Sequence, residues 1–301
     1  MGKEKSESAL DQRSALRTKG KNLVKVPITF NRSVLPARLR RLVPNNVDPR
    51  TILEATASDM NFREAVGAFL VGGTFKTTAS QRYPATLSAL LELRFRDRPV
   101  VLDVGVSDGS AALATLEVLP YARYYLTDKY FDIVAQRSHN GVLFSDLSGN
   151  PIVYADDWFI SYAETKGAIW PLSKFSTWMI KRALKERHGP EKTVRLLSPS
   201  LQSIEDPSLV VKSYDVFEKW PLEQIDLVIA ANLFNRGYFS DTLIKRGLEN
   251  IRNAMRCDGV LAVVENRKHE QATLFRLQNG RFLNEKRVGP GCDIEGLVEA
   301  L

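Results

Sequence analysis

A mostly apolar, β-branched run, Val100-Val101-Leu102-Asp103-Val104, leads straight into a turn of small residues at Gly105, Ser107 and Gly109. Ala111-Ala112-Leu113-Ala114-Thr115-Leu116-Glu117-Val118-Leu119 follows at once. The first run has the length and composition of a buried parallel strand. The last is a good helix former with leucines three apart. Strand, small-residue turn and helix in immediate succession form the opening unit of a nucleotide-binding α/β domain, which fixes the fold class as α/β with a doubly wound sheet.

The turn has a physical purpose. Small residues let backbone approach a ligand, and the free N–H groups of the following helix point into the same space. A dinucleotide fold asks for Gly-x-Gly-x-x-Gly, whereas Ser107 and Ser110 stand at its third and sixth places. The order Asp103-x-Gly105-x-Ser107-x-Gly109 instead resembles the first motif of the class I S-adenosylmethionine (SAM) methyltransferases. Ser107 stands where that family most often has glycine, and serine is small enough for the turn. The resemblance implies SAM as cofactor, held at Asp103, Gly105, Ser107 and Gly109. A tight β–α turn with no ligand is the other reading of these residues.

The resemblance continues down the chain. Ala122-Arg123-Tyr124-Tyr125-Leu126-Thr127-Asp128 reads as a second strand ending in an acid, about twenty residues beyond the turn. Such a carboxylate can accept both hydrogen bonds of a ribose diol. Thr193-Val194-Arg195-Leu196-Leu197-Ser198-Pro199 competes for that place, with Ser198 where the acid should stand; Asp128 is preferred for its side chain and spacing. Leu209 to Phe217 reads as the third strand, closing on Asp215 and Val216, which the family uses to hold the adenine. Ile225 to Asn232 is the fourth, ending beside the reacting methyl in the family. Tyr238 to Met255 has a strong helical period, Val260 to Glu265 reads as the fifth strand, and a hairpin turns at Asn279-Gly280. The resemblance covers about residues 99–288 and implies a Rossmann-like methyltransferase sheet with a terminal antiparallel hairpin.

Three segments lie outside it. Residues 1–32 read as a basic, disordered tail, and 33–98 as an N-terminal helical region. That region has a short basic helix over Ser33 to Leu42, two helices between Pro49 and Leu70, and another from Leu87 to Phe95. Within the SAM-binding domain, 99–301, an insertion of about 130–192 breaks the alternation. It reads as a hairpin, Val142 to Tyr154, and an amphipathic helix stopping near Gly189-Pro190. Trp158, Trp170 and Trp178 fall here, so the insertion either shapes an acceptor site or simply packs its aromatics onto the domain.

Methyl transfer from a sulfonium is an in-line displacement that mainly needs a positioned acceptor. Asn232, Arg236 and Tyr238 follow the fourth strand, where strand ends converge on a ligand. Asn232 and Tyr238 are candidates to touch SAM or the acceptor, and Arg236 to pair an anionic acceptor; loop capping is the alternative for each. The fourth strand ends Ala231-Asn232-Leu233-Phe234, without the Asn/Asp-Pro-Pro-aromatic pattern of nucleic-acid amino methyltransferases, and no Pro-Cys nucleophile occurs. His139, His188 and His269 are scattered, and Cys257 and Cys292 are too few for a disulfide or Cys-based metal framework. No metal is expected.

Charge bears on partners. Residues 1–50 hold twelve Lys/Arg against four Asp/Glu, a balance of +8 in a chain of net +7, so the remainder stands at −1. A basic head on a neutral body suits RNA or anionic lipid, or merely solubilises. No run of about eighteen apolar residues exists, and no secretory signal opens the chain. The expectation is a cytoplasmic enzyme, peripheral at a membrane if the tail meets lipid. It would be a SAM-dependent methyltransferase acting on a small-molecule, sugar or lipid-linked acceptor, with an RNA methyltransferase or a non-catalytic SAM-binding scaffold as alternatives.

Overall fold

The computed structural model describes residues 27–31, 47–71, 74–76, 83–95, 97–165, 168–266 and 269–301. The expected helix over Ser33 to Leu42 and most of the basic head lie outside them.

The described chain enters as β1 (Ile28–Phe30), a strand inside the span expected to be a disordered tail. A 3-10 turn over Pro49–Leu53 is capped by Asp48, whose side chain accepts from the Arg50 N–H. Next come α1 (Asp59–Val66), β2 (Leu70–Val71), β3 (Thr74–Phe75) and α2 (Pro84–Leu91). The two helices expected between Pro49 and Leu70 are therefore one 3-10 turn and one α-helix. The helix expected to start at Leu87 starts at Pro84, in a first turn that needs no N–H from it. The Glu270 carboxylate accepts from the Ala85 and Thr86 N–H groups beside it, at 3.0 and 2.5 Å.

The core opens with β4 (Val100–Val104), α3 (Ala112–Val118) and β5 (Arg123–Asp128). The chain then leaves for β6 (Asp132–Ser138), β7 (Gly141–Ser145), β8 (Pro151–Ala155), β9 (Phe159–Tyr162), α4 (Trp170–Lys185) and β10 (Arg187–Arg195). After α5 (Pro199–Gln202) it returns as β11 (Leu209–Ser213), β12 (Ile225–Ala231), α6 (Asp241–Ala254), β13 (Met255–Asn266), β14 (Glu270–Gln278), β15 (Arg281–Val288) and α7 (Glu295–Glu299).

Among the described residues seven strands form one sheet in the order β11-β5-β4-β12-β13-β14-β15. The first five are parallel; β14 is antiparallel to β13, and β15 to β14. This is a Rossmann-like α/β sheet with a terminal hairpin, as the strand pattern predicts. Asn279 and Gly280 both have positive φ, 51° and 77°, which a two-residue turn matched to the strand twist demands. β4 is buried along its whole length because apolar layers cover both faces of the sheet. One layer holds Ile244, Leu248 and Ile251 of α6; the other holds Leu90 of α2 and Leu201 of α5.

The insertion is larger than a hairpin and a helix. β7 and β8 are the expected hairpin, but they belong to a six-stranded antiparallel sheet, β1-β9-β8-β7-β6-β10. β6 alternates only briefly: Ile133, Ala135 and Ser138 are buried, while Val134 and Gln136 are partly exposed and Arg137 is exposed. α4 stops at Glu186, earlier than expected. Gly189-Pro190 lies in exposed β10, where the register with β6 shifts between His188 and Lys192. An edge strand with an irregularity tolerates proline, which a helix interior does not. Thr193 to Arg195 pairs with β6, so it is no core strand, and β5 with Asp128 at its end is the neighbour of β4.

Candidate functional site

β4 and β12 lie side by side at the centre of the sheet, and the chain runs outward from them in opposite directions. The crevice beyond their carboxyl ends is the switch point where open α/β sheets bind ligands. The turn after β4 reaches into it with Gly105, Ser107 and Gly109 all in the left-handed region, at φ 74°, 61° and 76°. The Gly105 and Val106 N–H groups donate to the Thr127 carbonyl at 2.7 and 3.1 Å, tying the turn to the end of β5. A Cβ on Gly105 would stand 3.0 Å from Leu233 Cδ1, and one on Gly109 would overlap Leu201 Cδ1. Both glycines are thus favoured by their backbone angle, and a side chain at either would also have to displace a leucine methyl.

Asp103 is buried at the foot of the turn and accepts a hydrogen bond from the Tyr124 hydroxyl at 2.9 Å. Burial pushes its carboxyl up to about 7, against the lowering effect of that bond. Asp108, inside the turn, is fully buried, and both its oxygens accept from Ser110, at 3.0 Å from the N–H and 2.7 Å from the hydroxyl. Burial raises its pKa as well. Both carboxyl groups brace the loop, and Asp103 also lines the small cavity beside it.

Two polar atoms are left over at the crevice. Among the described residues Ser107 Oγ and Asn232 Nδ2 are buried without a hydrogen-bond partner, as are Ser161 Oγ, Tyr162 Oη, Glu186 Oε2 and Asn284 Nδ2 away from the crevice. Their residues stand at the ends of adjacent central strands, both with left-handed backbone. Asn232 Oδ1 accepts from the Asn266 N–H at 2.7 Å, which fixes the amide and leaves its donor end unused. Buried polar groups are nearly always paired, so two orphans at a switch point mark a place for a polar ligand. A small cavity of about 10 Å³ lies beside the turn, bounded by Tyr83, Asp103, Gly105 and Ala231; Ser107 and Asn232 do not line it.

Asp128 ends β5 as expected, but it is occupied. Lys76 Nζ lies 2.7 Å from Oδ1, with both side chains largely buried. The Tyr130 N–H also donates to Oδ1 at 2.9 Å, and the Ser107 N–H to Oδ2 at 2.8 Å. Asp215, past the end of β11, accepts from the Phe217 N–H and pairs with Lys129 at 2.7 Å, here in a half-exposed setting. Val216 is buried beside it. Nothing in the sequence around Lys76 announced its role.

The loop after β12 divides. Tyr238 is half exposed, its N–H bonded to the Asn235 carbonyl. Arg236 is committed within the protein, to Asp241 at 2.9 Å and the Asp293 carbonyl at 2.9 Å. These bonds serve the loop-capping alternative, while the side chain stays 45% exposed. Ser198, the rival of Asp128, caps α5 instead, its hydroxyl accepting from the Leu201 N–H.

A larger cavity of about 400 Å³ lies in the second sheet, between Tyr154, Trp158 and Phe159 on one side and Phe175, Trp178 and Arg182 of α4 on the other. Phe175 and Trp178 stack at 5.7 Å, and the Arg182 guanidinium lies 5.7 Å from the Trp178 ring. It shares no lining residue with the crevice at the turn. No helix among the described residues is long and apolar enough to cross a membrane.

No protein-family model matches this chain, and no curated protein sequence matches it. Among solved structures it is similar to the pyocyanin biosynthetic protein PhzM, with TM-score 0.34, 15% identity, and 75% of this chain and 45% of PhzM covered. It is also similar to human N-acetylserotonin methyltransferase in complex with SAM (TM-score 0.32, 14% identity, 69% and 37% covered). A third is the N-methyltransferase NodS from Bradyrhizobium japonicum WM9 (TM-score 0.30, 11% identity, 61% and 67% covered). The chain spans less than half the length of the first two. Likenesses this distant leave the functional reading to the crevice itself.

Proposed function

We propose that the crevice at the ends of β4 and β12 binds S-adenosylmethionine, and that the chain transfers its methyl group to a small-molecule, sugar or lipid-linked acceptor. The observation that carries this reading is the pair of orphaned buried atoms, Ser107 Oγ and Asn232 Nδ2, set in a glycine turn of the SAM type. The residues fit the cofactor: Gly105 and Gly109 allow close approach, and Ser107 and Asn232 supply a hydroxyl and an amide donor. Asp128 offers carboxylate oxygens to a diol, and Asp215 with Val216 an acceptor and an apolar surface for a purine. When bound, SAM supplies an electrophilic methyl on a positively charged sulfur.

What the protein itself would contribute is alignment. Asn232 is held by the Asn266 N–H and the Val264 carbonyl, so its free donor has one orientation. Tyr238, exposed on the following loop, can meet an acceptor entering from solvent. Arg236 keeps that loop in place through Asp241 and Asp293. Native mass spectrometry of the purified protein for bound SAM or S-adenosylhomocysteine is the direct test, followed by titration calorimetry. A folded protein that binds neither ligand overturns the proposal.

Two other readings each have one observation in their favour. SAM binding without turnover would use the same crevice, whose orphaned atoms suit a ligand and name no acceptor. Methyl-acceptor panels showing no transfer by a SAM-loaded protein would establish it. RNA methylation is favoured by the +8 balance of residues 1–50. The test is deletion of residues 1–26 rather than 1–32, because Ile28–Phe30 pairs with β9. Salt-sensitive RNA binding that disappears with the deletion, while anionic vesicles are ignored, would favour RNA over lipid.

A further inference from the structure

We propose that Lys76 competes with the ribose diol of SAM for the Asp128 carboxylate, and so sets the affinity of the cofactor site; this rests on the SAM reading above. The geometry is specific. Lys76 Nζ sits 2.7 Å from Asp128 Oδ1, and the two side chains are only 7% and 12% exposed. A carboxylate has about four directions in which to accept. Among the described residues three are filled, by Lys76 and the Tyr130 N–H on Oδ1 and by the Ser107 N–H on Oδ2. One remains, and a diol brings two donors.

One protein donor must therefore leave when a diol binds. The Ser107 N–H belongs to the turn itself, and the Tyr130 N–H lies two residues from Asp128 in the same chain, so neither can leave without unmaking the site. Lys76 can leave. Its backbone is fixed by its N–H to the Phe69 carbonyl at 3.1 Å, while its ammonium rides on a flexible four-carbon stem. The second lysine, Lys129 on Asp215, is 53% exposed and competes with water already, which makes it the weaker contestant.

The test is calorimetry of SAM on the intact protein and on Lys76→Ala, Asp128→Asn and the double variant. Lys76→Ala should bind SAM about tenfold more tightly, because one charge-assisted bond no longer has to be broken. In the Asp128→Asn background the same change should alter affinity by less than about twofold, since the contested acceptor is gone. Lys76→Met, which keeps the stem, serves if the alanine variant fails to unfold cooperatively. Equal or weaker SAM binding by a folded Lys76 variant, with the parent binding normally, overturns the inference. Undetectable SAM binding by the parent and both Lys76 variants overturns the SAM reading, and the inference falls with it.

Discussion

Replacing Asp103 by Asn should remove a pH dependence from the stability of this fold, and in one direction only. The Asp103 carboxyl is buried between β4 and β5, and burial pushes it from 3.8 up to about 7. A raised acid pKa means that the folded chain keeps a proton which the unfolded chain gives up. Between about pH 4 and pH 7 the native state therefore binds more protons, and stability falls as pH rises through that window, levelling off above it. The interval from 3.8 to about 7 corresponds to about 4 kcal/mol. Asparagine has no proton to lose, and its carbonyl still accepts from the Tyr124 hydroxyl. Parent and variant should thus be closely matched near pH 4, and the variant should gain up to about 4 kcal/mol by about pH 8. Urea unfolding followed by tryptophan fluorescence across that range gives the difference curve, in which the other titrating groups cancel. A difference that stays flat with pH, or a parent that gains on the variant as pH rises, would refute the reasoning.

Gly105→Val should abolish SAM binding in calorimetry while leaving a folded protein, because the branched side chain would press on Leu233 from a backbone angle it resists. Asp128→Ala should weaken SAM by about 1.5–3 kcal/mol, the scale of hydrogen bonds to a charged group. Ser198→Ala should leave SAM affinity alone and cost about 1 kcal/mol of stability for the lost α5 cap, so a reversed pattern of binding losses would remove Asp128 from the site. Glu270→Ala should lower the unfolding free energy by about 1–3 kcal/mol, since three α2 donors lose their partner; an unchanged urea midpoint would show that water replaces it freely.

The core sheet was readable because its signals are local and periodic. β4, β12 and β13 are apolar runs of strand length, and Asn279-Gly280 can be little but a tight hairpin turn. The second sheet was only half readable. β7 and β8 flank a recognisable turn, but β1 is three residues long and joins through partners some 130 positions away, which no window of sequence can see. Gly189-Pro190 reads as a helix stop yet sits in a strand, because a proline without a backbone N–H suits a helix end and an irregular edge strand alike. The site followed the same division. The turn and Asp128 are motif residues. Lys76 is a lone lysine after a two-residue strand, and only the folded chain brings it to an acid 52 positions on.

The Glu270 clamp on α2 has a consequence for how the molecule is made. Tyr83, the N-cap of α2, forms one wall of the crevice at the turn, and the first donors of that helix wait for a carboxylate 184 residues downstream. A ribosome emits the turn, α2 and β4 long before it emits β14. On a growing chain the glycine loop can be present while its wall is still loose, so the site should mature late, after most of the sheet has been laid down.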